Sequence, residues 1–208
     1  MTKLIIFDYD DTLVKSSTAL YDADSKTAES MGLSKPNLKK YFSLWGKPHD
    51  EMILLLHPHV NLNEYKQKYG EIYDPAKLLV FKDTLNILEK VKNREYLMAI
   101  LSAKKNAFLE EHLTKNNLRK YFKYIHSAES SKYHKPDPRV FDDILDYFKI
   151  SPKEVIYIGD QIKDYEAAKK KGIRFIAVTT GVNTAKEFEN LGCTEIVSSL
   201  SKLENILP

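Results

Sequence analysis

The first thirteen residues constrain this chain more than any other stretch. Leu4-Ile5-Ile6-Phe7 is a short apolar run bounded by charge, the pattern of a strand covered on both faces in a parallel sheet. Asp8-Tyr9-Asp10-Asp11-Thr12 follows at once. Such a strand delivers three carboxylates and a hydroxyl at its carboxyl end, where open α/β sheets bind ligands. Asp8 and Asp10, two residues apart, can share a metal ion or divide the roles of nucleophile and acid. Taken alone, the stretch also reads as an acidic turn with no chemistry. The rest of the chain decides.

A chain of 208 residues has room for one large domain or two small ones, with an ample core. Hydrophobic residues make up 43% and charged residues 29%, the balance of a soluble globular protein. The 32 basic and 29 acidic residues leave a net charge of +3. The basic residues are scattered, so no nucleic-acid surface is expected. The run Lys169-Lys170-Lys171 reads as the end of a helix, where cations suit the dipole. Cys193 is the single cysteine, which excludes an internal disulfide or a thiol metal pair and fits a reducing cytosol. The N-terminal apolar run is too short for a signal peptide, and no stretch approaches a membrane span. The expected setting is soluble and cytoplasmic.

After Leu13 the pattern turns helical for about 60 residues. Ser16 or Ser17 is placed to cap a helix carrying Leu20, Ala23, Thr27 and Met31, with Gly32 ending it. Pro36-Asn37 opens a second, with Leu38, Tyr41, Phe42 and Trp45 as its stripe, and Gly46-Lys47-Pro48 breaks it. A third runs from His49-Asp50 to Leu56 and stops at Pro58. A fourth runs from about Leu62 to Pro75. Such an insert would form a compact bundle of its own. From about Leu78 helix and strand alternate. Asp83 is placed to cap a helix bearing Leu85, Leu88 and Val91. Strands are expected at Leu97–Leu101, near Tyr124-Ile125, at Val155–Ile158, Arg174–Val178 and Glu195–Val197. Helices between them are expected over 105–116, after Lys135-Pro136-Asp137-Pro138, from Asp164 to Lys171 and near 184–191. This order predicts an α/β fold: a Rossmann-like, doubly wound parallel sheet.

Three further polar clusters fall at strand ends or helix starts. Ser102 follows the strand ending in Ile100-Leu101, where helix N-termini favour an anion. Lys135 precedes a Pro-Asp-Pro stretch that fixes the backbone. Gly159-Asp160 ends the strongest apolar strand, and Asp164 follows in the next helical turn. Singly, these are a helix cap, a surface lysine and an N-cap. Together, three aspartates, a lysine and a hydroxyl suit a phosphoryl group with Mg²⁺.

On these residues the chain resembles the haloacid dehalogenase-like superfamily of phosphatases over nearly its whole length. Asp8-Tyr9-Asp10-Asp11-Thr12 matches the family's DxDxT motif, and Ser102 the Ser/Thr of the second. Lys135 matches the third, and Gly159-Asp160-Gln161-Ile162-Lys163-Asp164 the fourth. The helical insert resembles the cap of phosphoglycolate phosphatase-like members. The resemblance implies a core domain of residues 1–14 and 79–208 and a small helical cap of residues 15–78.

It also implies a mechanism. Asp8 attacks phosphorus to form an aspartyl-phosphate, and Asp10 protonates the leaving oxygen and then deprotonates water. Mg²⁺ is held by Asp8, the backbone carbonyl of Asp10, and Asp160. Asp164 and Thr12 stand behind these ligands, Asp164 orienting water. Ser102, Lys135 and Asp11 bind phosphate, and Lys135 also keeps Asp8 ionised. An acid at position 10 argues against dehalogenation. Ala103 replaces an Asn that relatives often carry, and Lys82-Asp83 replaces a common Pro-Gly. Trp45-Gly46-Lys47-Pro48-His49 resembles the cap loop that reaches the active site, making Lys47 and His49 candidates to touch the leaving group. An exposed turn is the alternative there, and His57 and His59 read as loop residues.

The expected activity is Mg²⁺-dependent hydrolysis of a small phosphomonoester by a monomer or homodimer, with no nucleic-acid or membrane partner. A phosphomutase would share all four motifs. Phosphonate hydrolysis would need a cap lysine, for which Lys47 is the only tempting choice. A non-catalytic binding module would be expected to have lost Asp8 or Asp10.

Overall fold

The computed structural model describes residues 2–45, 47–74 and 77–208. Gly46 and Pro75, read above as helix breakers, lie outside them. In chain order the elements are β1 (Leu4–Phe7), β2 (Val14–Lys15), α1 (Ser17–Ser30), α2 (Leu38–Ser43), α3 (His49–Leu56) and α4 (Leu62–Ile72). There follow β3 (Leu79–Val80), α5 (Thr84–Asn93), β4 (Leu97–Leu101), α6 (Asn106–Lys115), β5 (Tyr124–His126) and α7 (Asp142–Phe148). The chain ends with β6 (Val155–Gly159), α8 (Ile162–Lys171), β7 (Arg174–Val178), α9 (Ala185–Asn190) and β8 (Ile196–Val197).

Six strands form one sheet in the order β5-β4-β1-β6-β7-β8, and each neighbouring pair is parallel. The α/β parallel sheet expected from the alternation is therefore present. β1 lies inside it, paired on both edges and covered on both faces, so Leu4, Ile5, Ile6 and Phe7 are all fully buried. Burying each such side chain contributes about 1.5–3 kcal/mol. Alternation along the strands assigns the faces. Leu4, Ile6, Ala99, Leu101, Val155, Tyr157, Phe175 and Ala177 share one apolar cluster with α7, α8 and α9 through Ile144, Leu145, Ala167, Ala168 and Phe188.

Local details depart from the expected boundaries for physical reasons. Asp83 precedes α5 but caps nothing with its side chain, because its backbone is already helical (φ −89°, ψ −11°). Thr84 is anchored instead, its hydroxyl donating to the carbonyl of Leu13 at 2.8 Å. α8 begins two residues before Asp164, with Gln161 as its N-cap in a reciprocal capping box. β8 begins one residue late. Glu195 there takes a two-pronged ion pair from Arg174.

The chain divides into two compact units, Met1–Lys15 with Val80–Pro208, and Ser16–Leu79. β2 and β3 form a separate two-stranded sheet. Inside the second unit Ala28, Ile53 and Tyr65 form a buried cluster, with Met31, Leu33 and Val60 packed on it. Asn37 and Asn61 cap α2 and α4 with their side chains. No helix among the described residues is long and apolar enough to cross a membrane.

Candidate active site

Phe7 is in register with Ile100 on one side and Ile158 on the other. The segments leaving these three strands, at Asp8, Ser102 and Asp160, therefore depart from the same edge of the sheet. The amide of Asp8 still donates to the carbonyl of Ile158 at 2.8 Å, so the carboxylate is carried on a rigid strand end. Lys135 arrives from the loop after β5, preceding a cis peptide bond to Pro136. Its ammonium donates to Oδ1 of Asp8 at 2.6 Å and to the Tyr157 hydroxyl at 3.1 Å. It also lies 2.6 Å from Oδ1 of Asp164. Tyr157 donates to that same Asp164 oxygen at 2.8 Å, and the amide of Gln161 donates to the other at 3.0 Å. Both oxygens of Asp164 are thus committed.

Two glycines make room for the acids. A Cβ on Gly159 would fall 2.7 Å from Oδ2 of Asp164, and one on Gly181 only 1.8 Å from Oδ2 of Asp160. Thr12, fully buried, directs its hydroxyl at Oδ1 of Asp160 across 3.4 Å.

The charges are crowded and dry. Burial pushes the carboxyl of Asp8 up to about 7, against the opposing charge of Lys135 and with help from Asp164. Burial, then the charges of Asp8 and Asp164, holds Asp160 well above the usual carboxylate range. Burial alone would lower the Lys135 ammonium, but Asp164 and Asp8 outweigh it and raise it. Lys163 shifts the other way. Burial and the charge of Lys135 bring its amine down to about 8.

Asp8, Asp160 and Asp164 each offer an oxygen, and these lie within 4.8 Å of one another. Asp8 Oδ2 and Asp160 Oδ2 are buried and accept no hydrogen bond among the described residues. Buried carboxylate oxygens without donors are costly unless a cation meets them. Hard oxygen donors of this kind fit Mg²⁺. The carboxylate of Asp10 is not in this cluster; it pairs with Lys104 at 3.4 Å.

The other expected residues divide. Ser102 is buried, and its oxygen accepts the amide of Lys104 at 3.1 Å, leaving its own proton to donate. Asp11, expected to bind phosphate, lies in the turn that follows β1. It is buried with a left-handed backbone (φ 52°), which Asp tolerates better than most residues. Its amide, the one group on it suited to an anion, is spent on the carbonyl of Val14 at 2.7 Å. In the inserted unit, Lys47 is exposed and pairs with Glu51. His49 is half-buried, and its Nε2 lies 2.9 Å from Oδ1 of the fully buried Asp24. That carboxylate also accepts from the hydroxyls of Tyr41 at 2.6 Å and Tyr65 at 3.0 Å.

Reading the sequence missed Tyr157, Gly181, Lys104 and Lys163. Tyr157 had a signal: it is a polar-tipped residue two before Gly159 in an otherwise aliphatic strand. Gly181, soon after β7, looked like any loop glycine.

Residues 5–178 match the family profile of haloacid dehalogenase-like hydrolases. A phosphorylated carbohydrates phosphatase from Thermotoga maritima is 26% identical, over 93% of each chain. Phosphoglycolate phosphatase 1 from Pseudomonas aeruginosa is 24% identical, over 98% of this chain and 79% of that one. A crystal structure from Bacteroides fragilis, described as a haloacid dehalogenase-like hydrolase, superposes with a TM-score of 0.87 at 29% identity. It covers 98% of this chain and 100% of its own.

Proposed function

The chain belongs to the haloacid dehalogenase-like hydrolase family, and from that premise we propose that it hydrolyses a small phosphomonoester through an aspartyl-phosphate on Asp8. The observation that carries this reading is the contact between Lys135 and Asp8. A buried ammonium 2.6 Å from a strand-end carboxylate keeps one oxygen oriented and favours the ionised, nucleophilic form. The relatives named as phosphatases support the same class of reaction.

Asp8 attacks phosphorus, and the bond from phosphorus to the leaving oxygen breaks as Asp10 gives that oxygen its proton. Asp10 then takes a proton from water, the water oxygen attacks the aspartyl-phosphate, and inorganic phosphate leaves with Asp8 restored. Lys135 and the Ser102 hydroxyl neutralise and orient the phosphoryl oxygens. Mg²⁺ would be held by Asp8, Asp160 and the main-chain carbonyl of Asp10, with Asp164 behind them, and supplies positive charge to the carboxylates and the phosphate. Specificity is assigned to the inserted unit, through His49 before Lys47. Asp24 fixes the ring of His49, whereas Lys47 already has a partner in Glu51. Cys193, buried and unpaired with another cysteine, suits a cytoplasmic setting.

The test is hydrolysis of an aryl phosphate with and without Mg²⁺ by the wild type and by Asp8→Asn. Metal-dependent turnover that falls by at least about a thousandfold in the variant supports the reading. Turnover that survives the substitution removes Asp8 as nucleophile. If the aryl ester is refused, a panel of natural phosphomonoesters replaces it, and refusal of the whole panel rejects the activity.

A further inference from the structure

We propose that His112 is a positioning residue for the reaction: through the hydroxyl of Tyr9 it holds the segment on which Asp8 and Asp10 stand. This rests on the phosphatase reading above and concerns a residue of α6 that touches neither carboxylate.

β1 ends at Phe7, and after Asp8 the backbone turns and bonds to itself. The carbonyl of Tyr9 accepts the amides of Leu13 at 3.0 Å and Val14 at 3.2 Å. The far side of this turn is tied down by hydroxyls, Thr180 donating to the carbonyl of Asp11 at 2.5 Å and Thr84 to that of Leu13 at 2.8 Å. The near side, between the two acids, is tied by the side chain of Tyr9. That residue is fully buried, and its hydroxyl shares a 2.5 Å hydrogen bond with Nδ1 of His112, 103 positions away. Its ring meets His112 edge-on (5.8 Å, 89°) and Phe108 likewise (6.3 Å, 88°). Phe108 and His112, one helical turn apart on α6, are stacked at 5.8 Å and 14°. Together the two rings make a rigid seat for Tyr9.

Packing alone does not call for a histidine here. His112 lies on the buried face of α6 beside Leu109 and Leu113 and is 5% exposed. A leucine would fill such a place without the cost of burying a polar ring, a cost that a hydrogen bond offsets. What the histidine adds is direction. Tyr9 leaves the chain between Asp8 and Asp10, so turning its ring tilts the peptide planes on either side and swings both carboxylates. A displacement of about 1 Å at reacting groups is enough to cost about a hundredfold in rate. α6 also follows the loop that carries Ser102, so the same bond sets the two acids against the hydroxyl assigned to phosphate.

The experiment compares the wild type with His112→Leu, His112→Asn, Tyr9→Phe and the double variant Tyr9→Phe/His112→Leu. Each is assayed with Mg²⁺ on an aryl phosphate, or on the natural ester the wild type accepts, at a temperature where circular dichroism shows it folded. His112→Leu and Tyr9→Phe should each lower kcat by about ten- to a hundredfold. KM should stay within about twofold, because Ser102 and Lys135 reach the phosphate from other strands. The double variant should fall no further than the worse single one, since both ends belong to one bond. His112→Asn should recover most of kcat, because its amide can present either an oxygen or an N–H near the place of Nδ1. Singles that keep the wild-type kcat would overturn the proposal, as would additive losses in the double variant. So would a His112→Asn protein no better than His112→Leu, which would make ring volume the cause. Should His112→Leu fail to fold, Tyr9→Phe and His112→Asn carry the comparison, since Tyr9→Phe keeps the ring. A wild type that hydrolyses none of the esters would overturn the phosphatase reading itself and this inference with it.

Discussion

The ammonium of Lys135 donates to Oδ1 of Asp8 across 2.6 Å, although 127 positions separate the two residues in the chain. Asp164 lies at the same distance from that ammonium, so one buried cation serves two buried carboxylates. Removing one partner of such a group leaves uncompensated charge and costs about 3–5 kcal/mol. Lys135→Met is therefore expected to melt well below the wild type. The loss should be larger at about pH 8 than at about pH 5.5, where Asp8, raised to about 7, is protonated and no longer needs the cation. Thermal melts at both values decide it; an equal loss at both would show that packing, not charge, is what Lys135 provides.

With divalent metal removed, the pH dependence of stability has a definite sign. Asp8 is raised from 3.8 to about 7, so the folded protein keeps a proton that the unfolded chain has released. Its contribution is full below about pH 4 and is lost as the pH rises to about 7. Asp160, raised for the same reason, acts in the same direction. In chelator, melts of the wild type should lose more between about pH 5.5 and pH 7.5 than those of Asp8→Asn. Mg²⁺ should recover the wild type at the higher value far more than the variant. A variant that tracks the wild type at every pH would remove Asp8 as the source.

Tyr157→Phe deletes the hydroxyl that Lys135 and Asp164 share and keeps the ring in the core. Losing it should cost about 1–2 kcal/mol of stability and lower kcat about tenfold through a less well held ammonium, with KM for a phosphomonoester changed less. Activity equal to the wild type would mean that Asp8 and Asp164 position Lys135 unaided.

Gly181→Ala and Gly70→Ala should act in opposite directions. At position 181 the new methyl overlaps the carboxylate of Asp160 and comes within 3.1 Å of the Asp11 Cβ. Something must move, at about 1–3 kcal/mol, and weaker Mg²⁺ binding by titration calorimetry should accompany it. Position 70 lies inside α4 with nothing near the added methyl. Alanine there should stabilise by about 0.5–1 kcal/mol. Denaturant midpoints of the two variants separate the cases, and a Gly181→Ala protein with unchanged metal affinity would contradict the packing described for Asp160.

Much of this was legible in the linear chain because it depends on neighbours in sequence. Leu4–Phe7 declares a strand covered on both faces by being apolar without alternation, and Val155–Ile158 does the same. The helices of the insert declare themselves by period and by punctuation at Gly32, Asn37 and Pro58. The Asp, Ser, Lys and Asp clusters each follow a strand, and a parallel sheet sends all its carboxyl ends to one edge.

What the chain could not declare depends on distance through space. Asp83 looks like a cap, but the side chain of Thr84 reaches Leu13 instead. Asp11 looks like another site carboxylate, but a left-handed turn and a bond to Val14 commit its amide. Tyr157 becomes part of the site only because β6 lies beside β1 and Lys135 comes back over both. Gly181 matters only because Asp160 occupies the space a side chain would take. Sequence determined which elements form and which chemical groups they carry, since period, breakers and strand ends are local properties. Tertiary structure decided which groups share a proton, a cation or a volume, because burial and Coulomb forces act between residues that the chain itself keeps far apart.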